Sequence, residues 1–266
     1  LSEEWPLSST RLECNLGGGA LAAAAAGALN CLWEQDLYKR MKRTSNRALP
    51  SGRLSQSSVF IGAIACTLIS SALLVIGVNC LAAGLTLLGL CSYVLLYTAF
   101  LKPRTSQNIV FGGVAGAIPP LVGASAAAGH IGLGAWWLFS LIMVWTPAHF
   151  WALAIHRREE YKKAEIPMLP VTHGLEFTRV QILLYTVLLF LVTLLPFLTG
   201  MSGLIYLICA VSLGALFLGY SIKIFLEPDN PKIAFKTFKY SINYLMVLFV
   251  GLLVDHYLLM NFWLLL

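Results

Sequence analysis

Eight runs of mostly apolar residues, at about 13–33, 57–77, 80–100, 108–128, 135–156, 181–200, 203–223 and 241–262, leave this chain almost no water-soluble fold to adopt. A helix needs roughly 20 such residues to cross the hydrocarbon core of a bilayer. Backbone facing lipid must satisfy its own hydrogen bonds, so each run is expected to be helical. Long alternating strands are absent from the sequence, which argues against a barrel. Composition agrees: 58% of the 266 residues are hydrophobic and 11% charged, with a mean hydropathy of +0.78, whereas soluble chains carry about a quarter charged residues. The expectation is an all-α, polytopic transmembrane bundle forming one domain over 1–266, with polar loops capping an intramembrane cavity.

Charge fixes the expected orientation. The loops at 34–56, 101–107, 157–180 and 223–240 hold 17 of the 18 Lys and Arg residues and eight of the 12 Asp and Glu residues. Their net charge is +9, against −3 for the rest of the chain. The turns between them, near Asn79, at 129–134 and at 200–203, are uncharged. Every second loop is thus charged, as an even-numbered bundle with one cytoplasmic face requires. Both chain ends then lie on the far side. Insertion bias and anionic lipid account for much of the asymmetry, but not for the eight acids mixed among the bases. The first and third loops, four helices apart, hint at a duplicated four-helix unit. The six cysteines are scattered singly and read as small buried thiols. No nucleic-acid partner is expected; the bilayer is.

Residues 30–47 pack two carboxylates and five bases between two apolar runs. Asn30, Glu34 and Tyr38 recur at i, i+4 and i+8, so a helix continuing past the membrane boundary stacks them on one face. Asp36 projects elsewhere, about 200° around from Glu34 at ~100° per residue. The oxygens of Asn30 and Glu34 suit Mg²⁺, which keeps several waters and is shared with substrate phosphates. Arg43 and Arg47 can clamp phosphate oxygens. The plainer alternative is a helix terminus with solvated charges. In the third loop, Arg157 and Tyr161 share a face and Glu160 lies beside them, a pattern that routine surface salt bridges also produce. Together the two loops can hold one metal–diphosphate, with Lys102, Arg104 and Asn108 as further donors. Pro147 should kink the fifth helix and Pro119-Pro120 the fourth. Broken helices in a bilayer line cavities. His149, inside an apolar run, reads equally as a neutral hydrogen-bonded histidine or as a ligand to metal or haem. Asp255-His256 reads as a packed or interfacial pair.

Residues 30–50, with Arg43-Thr44, Asn46-Arg47 and Pro50-Ser51-Gly52-Arg53, resemble the first signature of the UbiA-type intramembrane prenyltransferases. Pro147-Ala148-His149-Phe150-Trp151-Ala152-Leu153-Ala154 is more specific. With Arg157, Glu160-Tyr161 and Ile166-Pro167-Met168-Leu169-Pro170 it resembles the haem-farnesylating branch. Lys102, Arg104-Thr105, Gln107-Asn108 and Leu253-Val254-Asp255-His256 fit that branch too, and the likeness runs from about Ala22 to His256.

The resemblance implies transfer of farnesyl from farnesyl diphosphate to a vinyl group of haem B, giving haem O. It implies Mg²⁺ held by Asn30, Glu34 and Glu160, with Arg43, Arg47 and Arg157 in the catalytic set. Tyr38, Lys102, Arg104, Asn108, His149, Tyr161 and Lys163 are the implied substrate contacts, His149 on the haem side. It also implies a bacterial inner membrane, or an organelle inner membrane, with a haem A synthase or terminal-oxidase assembly partner. The family's nine-helix pattern implies that an earlier Lys-Pro-Arg-bearing helix is missing. Two positions depart from the pattern: Glu34 is one methylene longer than the family's Asp, and Tyr38 is neutral at pH 7 where the family has Asp. The readings left open are a prenyltransferase for another aromatic acceptor such as a quinone precursor, a non-catalytic haem-binding membrane protein and, more weakly, a secondary transporter.

Overall fold

In the computed structural model of the chain, residues 9–40, 44–228 and 230–263 are described. Among them there are helices and turns and no strand, and eight helices are long and apolar enough to cross a membrane. The chain divides into two compact units, Leu1–Phe139 with Lys163–Ile166, and Ser140–Lys162 with Pro167–Leu266.

The first unit contains α1 (Ser9–Trp33), α2 (Gln35–Arg40), α3 (Gln56–Gly77), α4 (Cys80–Cys91), a π-helical continuation at Ser92–Leu101, α5 (Asn108–Ala117) and α6 (Pro119–Ala128). Helix α1 is rich in Gly and Ala, which lets α3 lie close against it. Ser70 donates to the Gly18 carbonyl at 2.6 Å, and a Cβ at Gly18 would collide with Leu74. Asn79 caps α4 by accepting from the Ala82 N–H at 2.8 Å. Its amide donates to the Ser125 carbonyl near the end of α6 at 2.7 Å. The fourth span is interrupted at Ile118, directly before Pro119-Pro120, as the missing proline N–H dictates. Outward faces stay apolar, as Phe60, Ile61, Leu68 and Ile76 of α3 illustrate.

The second unit takes most of α7 (Leu133–His156), then α8 (Arg158–Lys163), α9 (Leu169–Thr172), α10 (Gly174–Leu198), α11 (Leu204–Leu226) and α12 (Pro231–Trp263). Leu141, Ala148, Leu189, Tyr206, Phe217, Tyr244 and Leu248 form its core. Hydroxyls inside this core find partners across helices. Thr193 and Tyr244 are joined at 2.7 Å, Tyr206 donates to the Thr193 carbonyl at 2.9 Å, and Thr186 meets Ser221 at 2.8 Å.

One expectation needs correction. The sixth and eighth spans begin at Gly174 and Pro231, earlier than apolarity alone marks, because Glu176, Arg179 and Lys232 to Lys239 remain helical beyond the apolar stretch. Pro147 lies inside α7, which runs from Leu133 to His156.

Asp255 is packed, but its partners are backbone N–H groups rather than His256. It is 2% exposed, and its carboxylate accepts from the N–H groups of Gly203, Ile205 and Tyr206 at the start of α11. A carboxylate at a helix N-terminus satisfies otherwise orphaned donors and complements the positive end of the dipole. Losing such a cap costs on the order of 1–2 kcal/mol, which for a domain of this size is roughly 3–6 °C in melting temperature. Asp255→Ala is expected to lower the melting temperature of the detergent-solubilised protein by about that much, and Asp255→Asn, which keeps one acceptor, by less. Unchanged melting in Asp255→Ala would remove the cap from the account of stability.

Candidate active site

The first charged loop grows directly out of α1. Glu34 is the single residue between α1 and α2, yet the helical register carries through it. Its N–H donates to the Asn30 carbonyl at 2.9 Å, and the Tyr38 N–H donates to the Glu34 carbonyl at 2.9 Å. Asn30, Glu34 and Tyr38 therefore share one face and are 4%, 6% and 9% exposed. The Asp36 side chain points away, 88% exposed, and pairs with Lys39 at 3.1 Å.

Against that face lies the π-helical end of the third span. In this wider turn the Lys102 N–H reaches back five residues to the Tyr97 carbonyl at 2.9 Å. Such turns recur at functional sites. Asn30 donates to Thr98 Oγ1 at 3.0 Å, and Thr98 donates to the Tyr93 carbonyl at 2.9 Å. Lys102 Nζ stands 2.5 Å from Glu34 Oε1, while Glu34 Oε2, also buried, has no hydrogen-bond partner. The Lys102 ammonium lies 5.9 Å from the centre of the Tyr97 ring. That ring packs where a Cβ on Gly112 of α5 would stand.

Tyr38 joins both sides of the loop. Its hydroxyl donates to Asn30 Oδ1 at 2.6 Å, and the Arg47 guanidinium lies over its ring, 4.8 Å from the centroid. Burial, and then the negative charge of Glu34, pushes the phenol above its ordinary range, with Arg47 opposing. The hydroxyl is therefore neutral. Arg47 itself is exposed. Arg43 lies outside the described residues.

The other donors of the first unit are placed differently. Arg104 donates to the Ala99 and Phe100 carbonyls at 3.0 and 3.1 Å and lies over the Phe100 ring at 4.9 Å, so it caps its own helix. Asn108, fully buried at the start of α5, donates to the Thr105 carbonyl at 2.8 Å, and its Oδ1 is without a partner.

The second unit repeats the joint. Arg157 is the single residue between α7 and α8, with its N–H on the Leu153 carbonyl at 3.0 Å and the Tyr161 N–H on its own carbonyl at 3.2 Å. Arg157 and Tyr161 are partly buried, while Glu160 and Lys163 are exposed. Arg158 donates to the Pro170 carbonyl at 3.0 Å, tying α8 to α9.

Two turns up α7, His149 is buried between Trp145 and Phe238, with ring centroids 4.1 and 4.6 Å away. Its Nδ1 is 2.6 Å from Ser241 Oγ. Ser241 spends its own hydrogen on the Phe238 carbonyl at 2.7 Å. His149 Nδ1 must therefore be the donor, which leaves the Nε2 lone pair unprotonated.

Within the first unit, then, the structure assembles Asn30, Glu34, Tyr38, Arg47 and Lys102. Tyr93, Tyr97 and Thr98 belong to the same cluster and sequence reasoning missed them. Their signal is two pairs of hydroxyl-bearing residues, Ser92-Tyr93 and Tyr97-Thr98, within an otherwise apolar run that ends at Lys102. Ser241, which fixes His149, had no signal at all. Among the described residues no three His, Cys, Asp or Glu side chains converge as a ready metal site. A hard cation that takes most of its ligands from water and phosphate needs fewer. Glu34 Oε2 and the remaining lone pair of Asn30 Oδ1 are oxygen donors of the right kind, and the neutral Tyr38 is not.

The profile of the UbiA prenyltransferase family matches residues 2–243. The chain is 70% identical over 246 residues to a protoheme IX farnesyltransferase of Prochlorococcus marinus, covering 92% of this chain and 74% of that one. A protoheme IX farnesyltransferase of Synechococcus is 63% identical over 246 residues, covering 92% and 75%. Among solved structures, a digeranylgeranylglyceryl phosphate synthase superposes with a TM-score of 0.81 at 17% identity, over 96% of this chain and 88% of that one. A UbiA homolog from Archaeoglobus fulgidus bound to GPP and Mg²⁺ superposes with a TM-score of 0.65 at 15% identity, over 92% and 89%. At those identities the two structures speak to the fold alone. The family match and the close relatives establish that the chain belongs to the UbiA prenyltransferase family.

Proposed function

We propose that the chain transfers the farnesyl group of farnesyl diphosphate to a vinyl group of haem B and so makes haem O. The observation that carries this reading is the 70% identity, over 92% of the chain, to a protein named for that reaction. The chemistry of the residues supports it. Heterolysis of the allylic C–O bond throws negative charge onto the departing diphosphate, and pre-placed cations lower that barrier. Arg47, Lys102 and Arg157 are assigned that role, with Arg43 as a further candidate. Asn30, Glu34 and Glu160 would hold Mg²⁺, which when bound supplies positive charge to the diphosphate.

Lys102 enters the resting site as the counter-ion of Glu34, and its ammonium is the group that can pass to phosphate when a cation takes its place. The allylic cation is trapped by the electron pair of the haem vinyl group; water adds at the carbon left electron-poor and gives up one proton to the released diphosphate or solvent, leaving the hydroxyl. Apolar walls between the helices keep water from the cation before that capture. His149, with Nε2 free to accept, is assigned to the haem side. Tyr38, Arg104, Asn108, Tyr161 and Lys163 complete the proposed substrate contacts, Arg104 with its guanidinium turned to its own helix in the resting state. The reading includes one catalytic domain over 1–266, a bacterial inner membrane with the charged loops on the cytoplasmic side, and a haem A synthase or terminal-oxidase assembly factor as recipient of the product.

Membranes carrying the chain, supplied with haem B, farnesyl diphosphate and Mg²⁺, are expected to yield haem O by chromatography, and chelation of the metal to abolish it. Prenylation of a quinone precursor in preference to haem B would transfer the reading to another acceptor. Haem binding with no detectable diphosphate affinity would point to a non-catalytic protein. Arg47 and Glu160 are exposed, so neither Arg47→Ala nor Glu160→Ala should disturb folding. Each is expected to lower turnover more than tenfold, and a near-normal rate in either variant removes that residue from the site.

A further inference from the structure

We infer that Tyr38 is a positioning residue whose ring seats the Arg47 guanidinium and whose hydroxyl locks Asn30, so that the first charged loop presents a pre-aimed cation to the diphosphate; this rests on the diphosphate chemistry proposed above. Three contacts of one side chain and its backbone carry the argument. The ring lies beneath the Arg47 guanidinium at 4.8 Å. The hydroxyl donates to Asn30 Oδ1 at 2.6 Å, while Asn30 is anchored at its other end on Thr98 at 3.0 Å. The Tyr38 carbonyl accepts from Thr44 Oγ1 at 3.0 Å, and the Thr44 carbonyl accepts from the Arg47 N–H at 3.1 Å. The same residue therefore holds both the backbone and the side chain of Arg47.

Arg47 is otherwise exposed on a loop, where an unstacked arginine samples many rotamers. A guanidinium stacked on an aromatic face keeps its planar fork of donors oriented, and phosphate then binds at a smaller entropic cost. The buried hydroxyl stays protonated, its hydrogen on Asn30, and a neutral phenol oxygen is a poor ligand for a hard cation beside a carboxylate. Glu34 alone then supplies carboxylate charge on this face, and Arg47 supplies the opposite sign above it. Tyr38 is thus not a substitute ligand. It changes how the loop meets the anion, by a seated cation rather than a second acid.

The test measures binding of magnesium pyrophosphate, and of a non-reactive farnesyl thiodiphosphate, to the full chain in detergent, beside steady-state kinetics. Tyr38→Phe keeps the seat and is expected to bind within threefold of the parent. Tyr38→Leu and Arg47→Met are each expected to weaken binding at least fivefold; Tyr38→Leu acts chiefly in KM for the diphosphate, whereas Arg47→Met, which removes the cation itself, also lowers kcat. Adding Tyr38→Leu to Arg47→Met should cost less than a further twofold, because the two act through one contact. Parent-like binding by Tyr38→Leu, fully additive losses in the double variant, or Tyr38→Phe as weak as Tyr38→Leu would each overturn the inference. Should Tyr38→Leu fail to fold, Arg47→Lys keeps the charge and loses the planar stack. A loss of threefold or more supports the seat, and parent-like binding overturns it. If the parent chain binds neither probe, the diphosphate reading itself fails and this inference falls with it, whereas failure of the variants alone leaves that reading standing.

Discussion

A carboxylate buried where a membrane helix ends is tolerable only beside a compensating cation, and the Glu34–Lys102 pair meets that condition. Glu34 is 6% exposed, and Lys102 reaches it from the last turn of a separate span at 2.5 Å. Removing one member of such a pair typically costs about 3–5 kcal/mol because the other charge is left buried alone. The pair therefore ties the end of α1 to the end of the third span, and the rest of the cluster depends on that join. Asn30 meets Thr98, Tyr38 meets Asn30, and Arg47 lies on Tyr38. The second oxygen of Glu34 has no partner. An interaction strong enough to organise the site thus leaves one buried acceptor unspent.

Much of this was legible in the sequence, for physical reasons. Spans are set by length and apolarity, and all eight were recovered, because lipid permits so few alternatives to a helix. The shared face of Asn30, Glu34 and Tyr38 follows from helical spacing once the helix is assumed to continue, and the backbone hydrogen bonds through Glu34 show that it does. Other features leave no trace in spacing. A π-turn differs from an α-turn by one residue of hydrogen-bond reach, and nothing in Ser92–Leu101 announces it. The pairing of Lys102 with Glu34 depends on that turn. The partnership of Asp255 with the start of α11 joins residues about fifty positions apart, and so does not follow from local pattern.

The hint of duplication acquires a structural form in the two joints. In the first unit a 25-residue helix, one joint residue and a six-residue helix follow one another. In the second the sequence is a 24-residue helix, one joint residue and a six-residue helix. Each joint preserves helical hydrogen bonding on both sides, and each has a tyrosine four residues on, Tyr38 and Tyr161. The joint residues differ in sign, however: Glu34 in one, Arg157 in the other. The two joints are thus alike in backbone form and opposite in charge.

Charge placement also separates the two halves of the proposed chemistry. Asp255 lies near the end of the last span, its carboxylate consumed by the three N–H groups that begin α11, and His149 is held through Ser241 among aromatic rings. Neither leaves a net charge exposed to an apolar ligand. Of the described residues assigned to diphosphate and metal, Glu34 and Arg157 sit at the helix joints, Lys102 at the end of the third span, and Arg47 and Glu160 just beyond, both exposed. Diphosphate and metal can then be held at the helix ends while a farnesyl chain and a porphyrin remain among apolar side chains. On the proposed reading, cleavage of the C–O bond between these environments would leave the anion with the cations and the carbocation with hydrocarbon. Separating the two in this way disfavours their recombination and keeps water from the carbon until the acceptor has reacted.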